Sequence, residues 1–591
     1  MPSRTRERET KDSGSNYTPI ARILRLPLPL LCRLRLTILV IVVAAGSAPA
    51  PRAAGAASWV FFRDRGSVAA ALDSLPTPRA LARREKAWTA RVARGVAAPM
   101  VAPAVDAPPS PIYLAALEAA GARLRHVSRW LNAASVEADS AELAAIRALP
   151  FVAEVRPVAR LEADRDSVVA GDPPPPPPTG AGAADAAEAG PSYAQLEAVG
   201  IPEAHALGYL GRGVLIGILD SGFSTRHEAL RHLDVLAERD FIQGDTNPED
   251  DPSRTPPDSP GQQNHGTQCL SLIGAYRPGS MLGVAPLASY LLAKTERTAV
   301  EIPAEEDDWC AGIEWAEAMG ADVITTSLSY TRWYRVAQLD GRTAVTTKMA
   351  NLAWERGVVI LNSAGNDGPG PSTVDAPGDA PGEITVGAVN LQGQIVGFSS
   401  RGPTGDGRVK PDVVAPGTGV LVVRGGELDG YQRGGGTSYS VPLVAGVAAL
   451  VVEAHPDWGP DAVREAIVMS ASRADRPDND YGWGIVNARA AILYPLLEGR
   501  VTSRDGGAPL AGARVAWERV GESKGEWAAP SDAPPAGETR SDAGGNYTIG
   551  NLPPGAYRLT VEAGGHEPET LGPFDVPPNL GGVDATLTPR R

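Results

Sequence analysis

The stretch Val214-Leu215-Ile216-Gly217-Ile218-Leu219, closed by Asp220-Ser221-Gly222, decides the fold. It carries no charge and no polar face, which is what a strand needs when both faces of its sheet are covered. Four further runs read the same way, at 289–293, 323–327, 358–362 and 384–389. Between them lie segments whose apolar residues recur at helical spacing, at 265–273, 307–319, 347–356 and 442–454. This alternation predicts an α/β domain over 193–497, a parallel sheet flanked by helices. Asp220, at the carboxyl end of its strand, stands where such sheets place their sites.

Outward from this domain the composition changes. Residues 1–57 read as a leader: a basic lead precedes the apolar stretch 36–45, and Ala48-Pro49-Ala50 and Ala54-Gly55-Ala56 offer small-residue cleavage sites. The apolar part is short for a membrane span of about 20 residues, so export with cleavage is expected, and any membrane attachment would run through an uncleaved leader. Residues 58–165 show helical periodicity at 112–131 and 141–149 and a strand pattern at 151–158, with no chemical motif. The linker 166–192 contains six consecutive prolines, 173–178, and reads as an extended spacer. The tail, 498–591, has short alternating runs between turn clusters such as Asp542-Ala543-Gly544-Gly545, the pattern of a small antiparallel β-sandwich.

Composition bounds the partners. The 591 residues are 43% hydrophobic and carry a net charge of −14, which argues against nucleic acid and anionic membrane surfaces. With only Cys32, Cys269 and Cys310 there is no disulfide framework, and once a leader is lost either one bridge or two free thiols remain.

Four residues carry the chemistry. Asp220 precedes Ser221-Gly222, His265 stands in Asn264-His265-Gly266-Thr267, Asn366 in Ser363-Ala364-Gly365-Asn366, and Ser438 in Gly436-Thr437-Ser438-Tyr439. Singly, each has an ordinary explanation as a cap, a turn or a loop residue. Together they supply a nucleophile, a base, a group to orient the base and an oxyanion donor, the requirements of a serine hydrolase. Ser438 sits in a glycine cluster just ahead of a predicted helix, so its backbone N–H points out of a positive helix end.

These motifs resemble the subtilisin-like serine proteases, or subtilases. Supporting stretches agree: Gly283-Val284-Ala285-Pro286, Ser399-Ser400-Arg401-Gly402, Lys410-Pro411-Asp412-Val413-Val414-Ala415-Pro416-Gly417 and Tyr481-Gly482-Trp483-Gly484-Ile485-Val486-Asn487-Ala488. The resemblance implies an endopeptidase with Asp220, His265 and Ser438 as triad and Asn366 in the oxyanion hole. It also implies that Ser327-Leu328-Ser329 and Ala364-Gly365 bind extended substrate backbone. By the same resemblance 58–165 is a pro-segment, and the tail is a carboxypeptidase regulatory-like domain, a surface binder or spacer. The enzyme is then a secreted monomer acting on proteins or peptides. It needs no cofactor for catalysis and has no catalytic metal.

The chain departs from the family pattern in places. Tyr439-Ser440 replaces the usual Met-Ala, and Ser329 replaces a glycine, which would narrow the first specificity pocket or favour smaller side chains. Gln268-Cys269 follows His265 as in the cysteine-bearing subset, so Cys269 is expected on the face of His265, either open to bulky mercurials or an inert small core residue. The acidic insertion 245–258 reads either as a solvated, mobile loop or as oxygen ligands for a structural Ca2+. A serine esterase fits less well, since Gly436-Thr437-Ser438-Tyr439-Ser440 lacks the second glycine of G-x-S-x-G and the triad order differs. A silent protease-like binding protein is the non-enzymatic alternative, and the complete residue set argues against it.

Overall fold

The computed structural model describes residues 56–66, 76–93, 106–159, 183–254, 257–297, 306–328, 333–523, 534–577 and 579–590. The expectations for the leader up to residue 55, for the proline run 173–178 and for Ser329 fall outside these residues.

Seven strands form one parallel sheet in the order Val413–Pro416, Ile384–Val389, Val359–Ser363, Val323–Thr326, Leu215–Asp220, Ser289–Lys294 and Asp234–Asp240. The apolar run around Leu215 is continuous because its sides are both covered. Ile216 and Ile218 enter one core with the Thr437–Ala454 helix, while Leu215 and Leu219 enter a second core with Ile313 of the Glu306–Met319 helix. The Thr437–Ala454 helix crosses four of the strands and also packs on the Asn264–Gly274 helix. Two strands escaped the sequence reading. Asp234–Asp240 is an edge strand carrying charges on its open side, and Val413–Pro416 is four residues long. Thr437–Ala454 is also apolar and long enough to span a membrane, and 89% of it is buried in this core.

The segment preceding the linker is a four-stranded antiparallel sheet, ordered Arg123–Ser128, Ala133–Ala138, Ala56–Phe62 and Val152–Pro157, with helices Pro111–Ala119 and Ser140–Arg147. The helical reading of 112–131 is corrected in its second half. The helix stops at Ala119, Gly121 turns the chain at φ +100°, and Arg123–Ser128 pairs with Ala133–Ala138. The Ser140 helix is fixed by a capping box in which Asp139 accepts from Ala141 and Glu142 and the Glu142 carboxylate accepts from the Asp139 N–H. The expected linker also ends earlier than 192. Ala183–Ala189 is helical, as its alanines favour, and buries Ala186 and Ala189.

This segment meets the α/β domain through charge. Along the Glu306–Met319 helix, Glu306 accepts from Trp59 Nε1 (3.0 Å), Asp307 from Arg125 (2.7 Å), Asp308 from His126 Nε2 (2.5 Å) and Glu314 from Ser128 (2.5 Å) and the Arg129 backbone (3.1 Å). Glu317, fully buried, is gripped by Arg84 (2.6 Å) and by Arg83 of the Pro78–Ala93 helix. Asp106 returns the pattern by accepting from Arg356 (2.9 Å) on the α/β side. Burying these ions is costly, and only their mutual pairing offsets it.

The tail forms two sheets, Asn546–Ile549 with Leu497–Ser503 and Ala585–Leu587, and a second of Ala536–Arg540, Arg514–Gly521, Gly555–Glu562 and Glu569–Val576. Val501, Val515, Tyr547, Tyr557 and Leu559 fill the space between them. One pair, Leu497–Ser503 with Ala585–Leu587, is parallel in an otherwise antiparallel sandwich.

Candidate active site

Asp220 ends its strand fully buried, and its Oδ1 accepts from the Ser221 N–H (2.7 Å) and faces His265 Nδ1 (2.7 Å). His265 opens the Asn264–Gly274 helix. Its neighbour must be glycine: a Cβ on Gly266 would run into the Gly222 carbonyl and reach 3.0 Å from Asp220 Cβ. Gly222 itself adopts φ +136°, and Ser221 Oγ donates to the Gln262 carbonyl (2.7 Å). The two glycines therefore let the strand end and the helix start approach closely enough for the acid–imidazole bond.

Ser438 lies in the first turn of the Thr437–Ala454 helix and is 5% exposed. Its Oγ is 3.3 Å from the Ser327 carbonyl oxygen. Ser327 Oγ donates to the Ser438 carbonyl (3.1 Å), and Cys269 Sγ reaches the same oxygen (3.4 Å). Asn366 Oδ1 accepts from the Thr437 N–H (2.9 Å) and Thr437 Oγ1 (3.0 Å), which assigns Nδ2 as the donor end of its amide. Ala364 continues the Val359–Ser363 strand and Gly365 turns it at φ +101°. Ser327 and Leu328 follow the Val323–Thr326 strand, so the two segments leave neighbouring parallel strands. The structure thus brings Asp220 to His265, and Ser327 and Cys269 to Ser438, while Asn366 is tied to the residue before Ser438.

Cys269 is one turn from His265, with Sγ 4.0 Å from His265 Nε2. Burial pushes its thiol up to about 11, against the opposing effect of His265. Cys269 and Cys310 are both free. Asp220, His265 and Cys269 place donor atoms within 4.8 Å of one another, the one such group among the described residues. The acidic insertion does not fit a calcium ion. Asp258 pairs with the buried Lys294 (2.6 Å), Asp250 accepts from the Gly261 and Gln263 N–H groups (2.7 and 2.8 Å), and Asp245 and Asp251 both face Arg254.

The subtilase family profile matches residues 211–484, that of the peptidase S8 propeptide domain, Bacteroidota, matches 57–169, and that of the carboxypeptidase regulatory-like domain matches 497–588. Over 310 residues the chain is 34% identical to subtilisin E of Bacillus subtilis (strain 168), an overlap of 51% of this chain and 72% of that protein. The chain belongs to the subtilase family. Another relative, subtilisin of Bacillus pumilus, is 33% identical over 296 residues, 49% of this chain and 94% of that one. Fervidolysin from Fervidobacterium pennivorans, described as a keratinolytic enzyme related to subtilisin, shares the fold at a TM-score of 0.53 and 19% identity, over 91% of this chain and 79% of its own. This subtilase is accordingly a serine peptidase acting on protein or peptide substrates.

Sequence reasoning missed several residues that support the subtilase site. Tyr439 donates to Gln268 Oε1 (2.6 Å), tying the helix of Ser438 to that of His265, and Gly434 leaves room for its ring. The departure from Met at 439 was visible; its partner was not. Lys294, paired with Asp240 (2.9 Å) and Asp258, sits opposite Asp220 in the sheet register and anchors the acidic insertion there.

Proposed function

We propose that this subtilase is an exported endopeptidase, made as a precursor that processes itself, with Ser438 as nucleophile. In this reading Asp220 holds His265 in the tautomer that presents Nε2 to the nucleophile. Ser438 Oγ attacks the scissile carbonyl as His265 takes its proton; the proton passes to the leaving amine as the C–N bond breaks. Water then repeats the sequence on the acyl-enzyme. Asn366 Nδ2 and the Ser438 N–H receive the oxyanion, the latter aided by the helix end. Ser327–Leu328 and Ala364–Gly365 flank the substrate backbone, and Ser329 extends the first of these.

The observation that carries the reading is the 2.7 Å bond between a fully buried Asp220 and His265, made at the mouth of the sheet beside the Ser438 helix. In the same reading 58–165 serves as an inhibitory pro-segment, 1–57 as its export leader, and 498–591 as a surface-binding or spacing module that leaves the enzyme monomeric. Expression of the precursor with Ser438 intact and as Ser438→Ala, followed by fluorophosphonate labelling and peptide mapping, tests it. Labelling of Ser438 together with shortening that the alanine variant lacks is expected. A folded, full-length precursor that neither labels nor shortens would favour a silent binding protein.

A further inference from the structure

Asp220 Oδ2 is buried and meets no hydrogen-bond donor among the described residues, so Oδ1 alone orients the carboxylate. Besides His265, the donor on Oδ1 is the N–H of the next residue, Ser221 (2.7 Å). The aim of the acid–imidazole bond therefore depends on where the Ser221 peptide is held. Gln262, 2% exposed, holds it at two points. Its carbonyl accepts from Ser221 Oγ (2.7 Å), and its Nε2 donates to the Ser221 carbonyl (3.3 Å). The same Nε2 reaches Asp258 Oδ1 and the Glu296 carbonyl, each at 3.3 Å. Asp258 is fixed in turn by Lys294 Nζ (2.6 Å) and the Asp251 N–H (2.9 Å). Lys294 is the register partner of Asp220, and the Thr295 N–H donates to the Asp220 carbonyl (2.9 Å). The bonds close a ring from the strand end of Asp220, through the acidic insertion, to the neighbouring strand.

We infer that Gln262 is a positioning residue for the reaction, and that the insertion 245–258 is the anchor that holds it. The inference rests on the peptidase reading above. Gln262 takes no proton; it acts through Ser221 on the Asp220 carboxylate. The insertion grips the surrounding chain as well. Asp250 accepts from the Gly261 and Gln263 N–H groups on either side of Gln262, its own N–H donates to Gln263 Oε1 (2.9 Å), and the Pro248 carbonyl accepts from the Phe223 N–H (2.9 Å). Without the Gln262 amide, Ser221 keeps its N–H on Asp220 but loses the donor that fixes its carbonyl. The carboxylate can then swing, and the imidazole loses both its orientation and part of the charge that favours its protonated form. Of the titratable neighbours of His265, namely Asp220, Cys269 and Tyr439, Asp220 is the one tied to Gln262 by the Ser221 bonds.

The test uses the full chain after self-processing, as wild type, Gln262→Ala and Ser221→Ala, assayed on one peptide anilide across pH. Gln262→Ala is expected to lower kcat by about ten- to a hundredfold with KM within about twofold of wild type. The acid limb of its kcat/KM profile should move to lower pH, because His265 has lost carboxylate support. Ser221→Ala keeps the N–H and removes only the Oγ bond, so it should shift the same limb in the same direction with a smaller fall in kcat. That variant keeps the inference testable if Gln262→Ala fails to fold. An acid limb that stays in place in the folded variants, or a rise in KM alone, would overturn the assignment while wild-type activity upheld the peptidase reading. A wild type that neither hydrolyses the anilide nor labels at Ser438 would bring down both.

Discussion

Asn366 is oriented by Thr437 in a way that makes its contribution measurable. Thr437 occupies its Oδ1, so Asn366→Ala removes an oriented donor and leaves Thr437 at the start of the Ser438 helix. In steady-state assays kcat is expected to fall by about 10²–10³ with KM nearly unchanged; a rise in KM alone would assign the residue to substrate binding. Cys269 gives a second residue-scale expectation. Its thiol is pushed up to about 11 by burial, so the thiolate fraction climbs about tenfold per pH unit below that value. Mercurial inactivation of a reduced sample should therefore be slow near neutrality and accelerate steeply with pH, and should vanish in Cys269→Ala. Rates independent of pH, or full sensitivity in the variant, would point away from Cys269. At this scale the four chemical residues were legible because each carries its own small-residue flanks. The partner of Tyr439 was not, since Gln268 lies 171 residues away in sequence and is brought to it only by the fold.

The helix Glu306–Met319 joins catalytic domain and pro-segment, and it makes their union pH-dependent. Burial works against a charged His126, but its bond to Asp308 and the charges of Asp308 and Asp307 outweigh that effect and raise it above its ordinary value, with Arg125 opposing. A group raised on docking stabilises the docked state fully below its free value, about 6.5, and that support is lost as pH rises through the docked one. Asp307 is lowered: burial opposes this, but the charges of Arg125 and His126 and the bonds from Arg125 and Ser135 prevail, so its support is lost in acid instead. The processed pro-segment should thus co-elute with the enzyme on gel filtration near pH 6 and separate progressively towards pH 9, whereas His126→Gln should show a flatter profile. Tighter association at pH 9 in the wild type would contradict the assignment. The buried strands at Leu215, Val323, Val359 and Ile384 were readable as apolar runs. Arg123–Ser128 was not, because Leu124, Val127 and Leu131 suit a helix as well as a strand. The Pro78–Ala93 helix stayed hidden for the opposite reason: it buries Arg83, Arg84 and Arg91, so its inner face is charged.

For the whole molecule, the seam between the pro-segment and catalytic domain is the main long-range constraint beyond the sheet. Glu317→Ala would leave Arg83 buried without its carboxylate and Arg84 with Asp106 alone, a loss of about 3–5 kcal/mol in docking. Inhibition by the retained pro-segment should weaken by at least about a hundredfold, read as residual activity immediately after processing, while the matured enzyme keeps its kcat; unchanged inhibition would show that the seam is held elsewhere. The order of parts along the chain was visible in composition, but this seam was not, since its acids and its arginines lie far apart in sequence and neither run looks apolar. The same seam has a consequence for the fate of the pro-segment. Arg83, Arg84, Arg125 and Arg129 are largely hidden while they hold the catalytic domain. The contacts that restrain the enzyme also keep these segments from being taken up as extended substrate. A pro-segment that lets go would present them to the enzyme it has just freed, and activation would run in one direction.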